Sequence, residues 1–447
     1  MPLWIRRIIY LSFIALFLLV APILALYSMG YRYHWGKHRI ERTGLLVVDG
    51  EPRDAIVRID GAVRARGLPA RIGGLGENEY TVRIERDGHI PREEHVAVVS
   101  GRTTFANDIR LFRDAPPTLE FAGTIANVQT SADGQWLAFT RTQDAYEELW
   151  IMNLRNGTRT LTLRIPHNSR FQIPDSRFRL TWSPRNATLL VTTPSDAITI
   201  DPEHPQQPRS LIPLLPPRVS TIAWELASTN ALIARSEGRL SRLSLATGRS
   251  VTFRAPAPDG PFAVARGTIY ATQGASIVAI PIDGAPHTVI AAIPDGASIA
   301  AFTDLRGTLL EAETKTPDRL LTIATTNGTV RTRTGCCRLL PEDRDVELWH
   351  ANAFELWVES GDPPLDRLIA RRENHIIDAV WHPHTPYIII ATAHDVTAMD
   401  HRASAYPTTL LAPFDAIQSI AIHPNGDTLT IIGRRGTEEG LWTLPLR

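Results

Sequence analysis

The sequence predicts a chain that is all-β apart from one N-terminal transmembrane helix, with a small β-sandwich-like domain followed by a β-propeller of eight blades, alternatively seven. Three observations carry this prediction. An uncharged apolar run opens the chain, a period-two alternation follows it, and a strand–turn–strand unit then recurs to the last residue. The expected division is a short flank over 1–7, the transmembrane helix over 8–29, a juxtamembrane linker over 30–42, the small β-domain over 43–112 and the propeller over 118–447.

Residues 8–29, IIYLSFIALFLLVAPILALYSM, are 22 positions without a charge. As a helix rising about 1.5 Å per residue this run spans a hydrocarbon core of about 30 Å. Arg6 and Arg7 mark its start. Trp4 and Tyr10 at one end, and Tyr27, Tyr31, Tyr33 and Trp35 at the other, form the aromatic belt expected at membrane interfaces. Pro22 removes one backbone donor and predicts a local kink. A cleaved secretory signal is the competing reading, but its apolar core runs to only about 7–15 residues. The expectation is therefore a signal anchor and a single-pass membrane protein with the bulk of the chain on the extracytoplasmic side. Arg32, Lys37, Arg39 and Arg42 follow the run and outnumber the arginines before it, which by the positive-inside rule favours the opposite orientation. The same four cations suit anionic lipid headgroups.

After this stretch the period becomes two. Ala55, Val57 and Ile59 alternate with Ile56 and Arg58, and Tyr80, Val82 and Ile84 alternate with Thr81, Arg83 and Glu85, the pattern of half-buried strands. Asp49-Gly50, Asp60-Gly61 and Asp87-Gly88 are tight-turn signals, since glycine accepts positive φ without steric cost. Further strands are expected over 95–99 and 105–112, completing a sheet folded from hairpins. The segments EPRDAIVRIDG, LPARIGGLGENEYTVRIERDGHIPREEHVAVVSG and IRLF resemble the PEGA module of surface-layer and envelope proteins. The resemblance runs through Pro52, Ala55, Asp60-Gly61, Leu75-Gly76, Tyr80, Asp87-Gly88 and Pro91. It departs at His89, where an aromatic is expected, and at Leu68-Pro69. It implies an exported structural or adhesive role and supplies no catalytic residue.

The remaining 330 residues repeat an apolar strand, a Ser/His-Pro or Asp-Gly turn and a second strand. The clearest copies are SADGQWLAFTR from Ser131, LTWSPRNATLLVTT from Leu180, AVWHPHTPYIIIAT from Ala379 and IAIHPNGDTLTIIG from Ile420. A third strand follows in each unit: ELWIMNL, AITI, RLSRLSL, SIVAIPI, RLLTIAT, FELWVES, VTAMD and GLWTLPL. Eight such strands give about 41 residues per unit, within the range of four-stranded propeller blades. Blurred boundaries from Ile299 to Arg372 leave seven as the alternative. TLEFAG over 118–123 stands alone before the first unit, and placing it as the missing outer strand of the last would remove an open edge. The repeats resemble the Tol-type, WD-like propeller repeats of periplasmic proteins, with SADGQWLAF the strongest match.

Composition limits the function. Acidic and basic residues balance at 47 each, so no global field draws nucleic acid, and no nucleic-acid partner is expected. Twenty-nine glycines, 33 prolines and only 4 methionines fit many short elements joined by turns. Cys336 and Cys337 are adjacent and cannot staple distant segments. They are a candidate vicinal disulfide, strained and easily reduced, or two unpaired thiols.

No recognisable catalytic constellation is present: the chain has no G-x-S-x-G elbow, and S-x-D-G-x-W is shorter than a sialidase Asp-box. His375, His382, His384, His394, His401 and His423 cluster late, but His382 and His423 precede prolines in equivalent turns and read as repeat positions. Glu93-Glu94 and Glu438-Glu439 read as solvated surface. Asn156-Gly157-Thr158, Asn186-Ala187-Thr188 and Asn327-Gly328-Thr329 match the glycosylation pattern, two of them as Asn-Gly turns. No catalytic residue, metal site or cofactor is assigned, and the ligand-binding residues are unknown from sequence. The expectation is a non-enzymatic envelope scaffold held to the lipid bilayer by its helix, with a protein or envelope polysaccharide as partner. The rivals are an envelope hydrolase or sugar-processing enzyme with its site in the propeller channel, and a cytoplasm-facing propeller acting in membrane trafficking or assembly.

Overall fold

The computed structural model describes residues 3–28, 31–34, 39–143, 146–166, 178–193, 196–294, 297–315, 319–334, 346–351, 354–360, 365–402 and 406–447. The chain divides into two compact units, Met1–Ala115 with Leu446–Arg447, and Pro116–Pro445.

The first unit opens with helix α1 (Leu3–Ser28), 26 residues whose charges are confined to Arg6 and Arg7. Most of its described apolar side chains are exposed: Tyr10, Leu11, Phe13, Ile14, Leu16, Phe17, Leu18 and Leu19 are each more than half exposed. Its two hydroxyls turn back on the helix, Ser12 to the Ile9 carbonyl and Ser28 to that of Ala25. Among the described residues no helix is long and apolar enough to cross a membrane. The side chains of Leu3, Ile5, Ile8 and Leu26 stand outside that description. The stretch after α1, expected as a plain linker, holds an antiparallel pair, Tyr31–His34 with Arg39–Arg42. There the Arg32 guanidinium stacks 3.3 Å from the Tyr27 ring centre.

Two sheets complete this unit. One orders Ala70–Leu75, Gly44–Glu51 and Thr103–Arg110. The other orders Ala62–Arg66, Ile56–Ile59, Asn78–Glu85 and Arg92–Val98. Leu46, Val48, Val57, Ile59, Val82, Ile84 and Ile109 fill the space between them. The alternation at Val57/Ile59 and Val82/Ile84 lies on that core face. Asp60-Gly61 makes a hairpin turn, with φ of 48° and 79°. Two expectations are corrected. The domain is not built from hairpins alone, because Gly44–Glu51 pairs in parallel with Thr103–Arg110. Asp49-Gly50 is not a turn but a register shift inside that strand, and glycine is needed there because a Cβ at Gly50 would sit 2.1 Å from the Ile109 carbonyl oxygen.

The second unit is a β-propeller whose described residues form a succession of eight sheets. The first holds Thr124–Thr130, Trp136–Gln143, Tyr146–Asn153 and Arg159–Pro166; the second Arg179–Trp182, Leu189–Thr192, Ala197–Ile200 and Arg209–Ser210; the third Val219–Trp224, Ala231–Ser236, Arg239–Ser244 and Arg249–Pro256. The fourth holds Phe262–Ala265, Thr268–Gln273, Ser276–Pro281 and Thr288–Ala292, and the fifth Ile299–Arg306, Leu309–Thr314, Arg319–Ala324 and Val330–Thr334. Three described strands form the sixth, Val346–Ala351, Glu355–Ser360 and Leu365–Arg371. The seventh comprises Ile376–Trp381, Tyr387–Thr392, Asp395–Asp400 and Thr408–Pro413, and the eighth Ala416–Ile422, Thr428–Arg435 and Glu438–Pro445. Its fourth strand is Thr118–Ala122, paired with Glu438–Pro445. The lone strand of the sequence thus closes the seam, covering an edge that would otherwise be open to pairing.

The turn repeats take one geometry. The amides of Ser131, Ser183, His382 and His423 donate to the carbonyls of Trp136, Thr188, Tyr387 and Thr428, five residues on in each case. Apolar residues fill the spaces between adjacent sheets: Ala138, Leu149 and Ile151 of the first meet Leu180, Val191 and Ile198 of the second. A second signature aligns the sixth sheet. In the first sheet Glu148 accepts from Trp150 Nε1 at 3.0 Å and from Arg164 Nε at 2.9 Å, on the third and fourth strands. Glu355 repeats this with Trp357 at 3.1 Å and Arg371 at 2.9 Å. The three described strands of the sixth sheet therefore correspond to the second, third and fourth of the first.

Candidate functional site

The inner strands are fastened to one another by side chains at their ends. Trp182 Nε1 donates to the Gln129 carbonyl, and Trp224 Nε1 to that of Thr181, both at 2.9 Å. Each bond joins one sheet to the inner strand of the sheet before it. Trp381 occupies the corresponding place in the seventh sheet, and its Nε1 has no partner among the described residues. His382 does a similar job by a different route. Its Nδ1 accepts from the His384 amide at 3.2 Å, and its Nε2 donates to the Gly426 carbonyl at 3.0 Å in the eighth sheet.

Four of the six late histidines hold parts of the fold together through their rings. His423 contacts Thr430 Oγ1 at 3.1 Å, His401 Nδ1 donates to the Pro386 carbonyl, and His394 Nδ1 donates to that of Asp415. Burial lowers the pKa of both His401 and His423, favouring the neutral rings. Among the described residues no three His, Cys, Asp or Glu converge as a metal site. The three glycosylation-pattern asparagines cap turns: Asn156, Asn186 and Asn327 each accept from the threonine amide two residues on. Cys336 and Cys337 lie outside the described residues.

The two ends of the inner strands differ. At the end where these strands finish, Arg185, in the turn after Trp182, reaches the fifth sheet, donating to Asp304 Oδ1 at 2.7 Å and to the Leu305 carbonyl at 2.5 Å. Its Nε donates to the Leu226 carbonyl of the third sheet at 2.9 Å. Leu226 packs among Ala263, Phe302, Leu305 and Leu310 of the fourth and fifth sheets. One guanidinium therefore ties three sheets together at this end.

At the end where the inner strands begin, the second and third sheets leave a cleft of about 530 Å³, a volume suited to a small ligand or a short segment of a partner. Arg179 and Thr192, directly paired across the second sheet, line one side with Asp196. Leu215, Pro216 and Pro217, from the connection between the sheets, and Val219, Thr221 and Ile222 line the other. The connection is stiff, with Pro213 in a short 3-10 turn, Ile212–Leu214, and the Pro216-Pro217 pair after it. Asp196 Oδ1 accepts from the Ala197 amide at 2.7 Å and the Ser210 hydroxyl at 3.4 Å. The Arg179 guanidinium makes no hydrogen bond or ion pair among the described residues, whereas Arg164, Arg185, Arg242 and Arg371 each hold a carboxylate.

Sequence reasoning singled out none of these lining residues. The one available signal was the proline-dense LIPLLPPR between two apolar strands, which breaks the repeat spacing.

No family model matches the chain, and no curated protein matches it. Among solved structures, an oligogalacturonate lyase in complex with manganese is similar at 13% identity, covering 75% of this chain and 98% of that one, with a TM-score of 0.44. The Dos1 propeller is similar at 12% identity, over 75% of this chain and 96% of that one, with a TM-score of 0.45. The WD40 domain of SCAP from fission yeast is similar at 9% identity, over 75% and 98%, with a TM-score of 0.44. These likenesses concern the fold alone. One expectation is corrected by them: the chain cannot be called non-enzymatic, because a lyase stands among the propellers it resembles and missing motifs do not exclude catalysis. The fold itself is a β-propeller with WD-like repeats.

Proposed function

We propose that this chain is a binding protein whose propeller, a single closed ring of eight blades, engages a protein partner through the cleft between its second and third sheets. The observation that carries this reading is the cleft itself: a partly apolar recess lined by an arginine whose guanidinium has no partner among the described residues. Protein recognition draws on such recesses, where an apolar anchor is buried beside a small number of placed polar groups. The repeat architecture supports the same reading, since propellers present loop-built surfaces on a rigid frame.

The reading extends to location. The first unit's helix carries an uncharged run over 8–29 and exposes apolar side chains around its whole circumference, an arrangement that water disfavours and a bilayer accommodates. We therefore place the chain as a single-pass membrane protein with the propeller outside the cytoplasm, in keeping with the resemblance of residues 43–112 to envelope modules.

Both parts are testable. Protease added to intact cells and to spheroplasts is expected to cut the propeller once the outer barrier is removed; protection in both would reverse the topology. For binding, the full chain is purified from chemically cross-linked membranes beside Thr221→Trp, which fills the cleft from an exposed position. The expected result is a partner recovered with the native chain and depleted with the variant. Equal recovery would remove the cleft from the account.

A further inference from the structure

We infer that the cleft between the second and third sheets recognises an extended peptide segment that carries a carboxylate beside an apolar side chain, with Arg179 as the partner of that carboxylate. The inference rests on the propeller being a protein-binding ring and adds the chemistry of what it binds.

Three features of the cleft select this ligand. Its connection-side wall is aliphatic, from Leu215, Pro216, Pro217, Val219 and Ile222, which suits a branched side chain and releases water on contact. No aromatic ring among the described residues lines it, so these offer no platform for stacking a sugar face. Arg179, the one cation among its described lining residues, has a planar fork of donors and no described carboxylate of its own. A carboxylate arriving there completes a charge-assisted pair like that of Arg164 with Glu148, whose Oε1 accepts from both Nε and Nη2 of the arginine.

Asp196 sharpens the selection. It lines the same cleft, and no ion pair joins it to Arg179 among the described residues. Its Oδ1 is held by the Ala197 amide and the Ser210 hydroxyl, which leaves Oδ2 as an acceptor for a ligand N–H. A cation and an anion on one recess disfavour a polyanion, whose second charge would meet Asp196, and favour a backbone that alternates donors with a single acidic group. Thr192 and Thr221 add hydroxyls able to serve either role.

The test titrates the full chain in detergent with fluorescent hexapeptides of Ala, Leu, Val and Pro that carry one Glu or Asp, beside their Gln or Asn counterparts. Acidic peptides are expected to bind about tenfold tighter than the amides. That preference should vanish in Arg179→Gln, return in part in Arg179→Lys and persist in the outer-strand control Val251→Ala. Equal binding of acid and amide peptides, or an unchanged preference in Arg179→Gln, would overturn the assignment. So would tighter binding of uronate oligosaccharides than of any peptide. If the cross-linked partner is still lost with Thr221→Trp, such failure concerns the ligand's chemistry and the binding ring stands. If that loss also fails, both readings fall.

Discussion

The seam between the eighth and first sheets and the cleft between the second and third are both places where neighbouring sheets meet, yet their charges are treated in opposite ways. At the seam, Glu120 accepts from Arg159 at 3.4 Å and from the Thr443 hydroxyl at 3.3 Å. Phe121 packs edge-on against Trp150 and Phe139, with ring centres 4.9 and 5.9 Å away. The Arg141 guanidinium caps the same ring at 4.4 Å. At the cleft, Arg179 and Asp196 face one recess and are not paired with each other. The seam holds its charged groups against neighbours, Glu120 with Arg159 and Arg141 over Phe121, although Arg141 Nε and Arg159 Nη1 are left without hydrogen-bond partners among the described residues; the cleft leaves its guanidinium exposed beside apolar surface.

The contrast can be broken most severely at the seam. Phe121→Ala removes the ring that three other residues pack upon, and a loss of about 2–4 kcal/mol in urea unfolding of the propeller transition is expected. A loss below about 0.5 kcal/mol would mean that the closing strand contributes pairing and little packing. Gly440→Ala should cost somewhat less, about 1–3 kcal/mol, because a Cβ there would lie 2.1 Å from the Phe121 carbonyl oxygen and must push the closing strand away. The same measurement on Gly436→Ala, where nothing lies within 4 Å but φ is 63°, separates the clash from backbone strain.

Acid should loosen the last two sheets next. His401 and His423 are buried and their pKa values are lowered by burial, so the unfolded chain takes up protons that the folded chain refuses. Stability from this source is fully present above the ordinary histidine value of about 6.5 and falls as the pH drops through the lowered values. Urea midpoints measured downward from about pH 7.5 should decline, and His423→Gln should flatten the decline. A pH-independent midpoint would show that neither ring stays neutral for the sake of the fold. The smallest effect on stability belongs to the cleft: Arg179→Gln should leave the urea midpoint within about 0.5 kcal/mol of the native chain. A larger loss would make Arg179 a structural group.

Much of this architecture was legible in the sequence because repeats expose it. The Ser/His-Pro and Asp-Gly turns, the eight third strands and the unattached TLEFAG all follow from local patterns of apolar residues and turn chemistry. Residues such as His382 and Asn156 were read as parts of turns, where the structure has them, since their neighbours made the turn visible. Pairing between distant strands was less accessible. Asp49-Gly50 looks like a turn by composition, and only the parallel approach of Thr103–Arg110 shows why glycine sits there. The cleft was invisible for the same reason: Arg179 and Pro217 are 38 positions apart in sequence, and neither belongs to a repeated motif. An unpaired arginine is defined by what fails to reach it in space.

Under the proposed function a partner docks in the cleft and not on the ring's outer surface. A photo-cross-linking amino acid placed in the full chain at Thr221, on the cleft wall, and in a second chain at Val251, exposed on an outer strand, tests it directly in cells. The expected result is a discrete adduct from position 221 that Arg179→Gln weakens, with none from position 251. Adducts of equal yield from both positions, or from 251 alone, would contradict it.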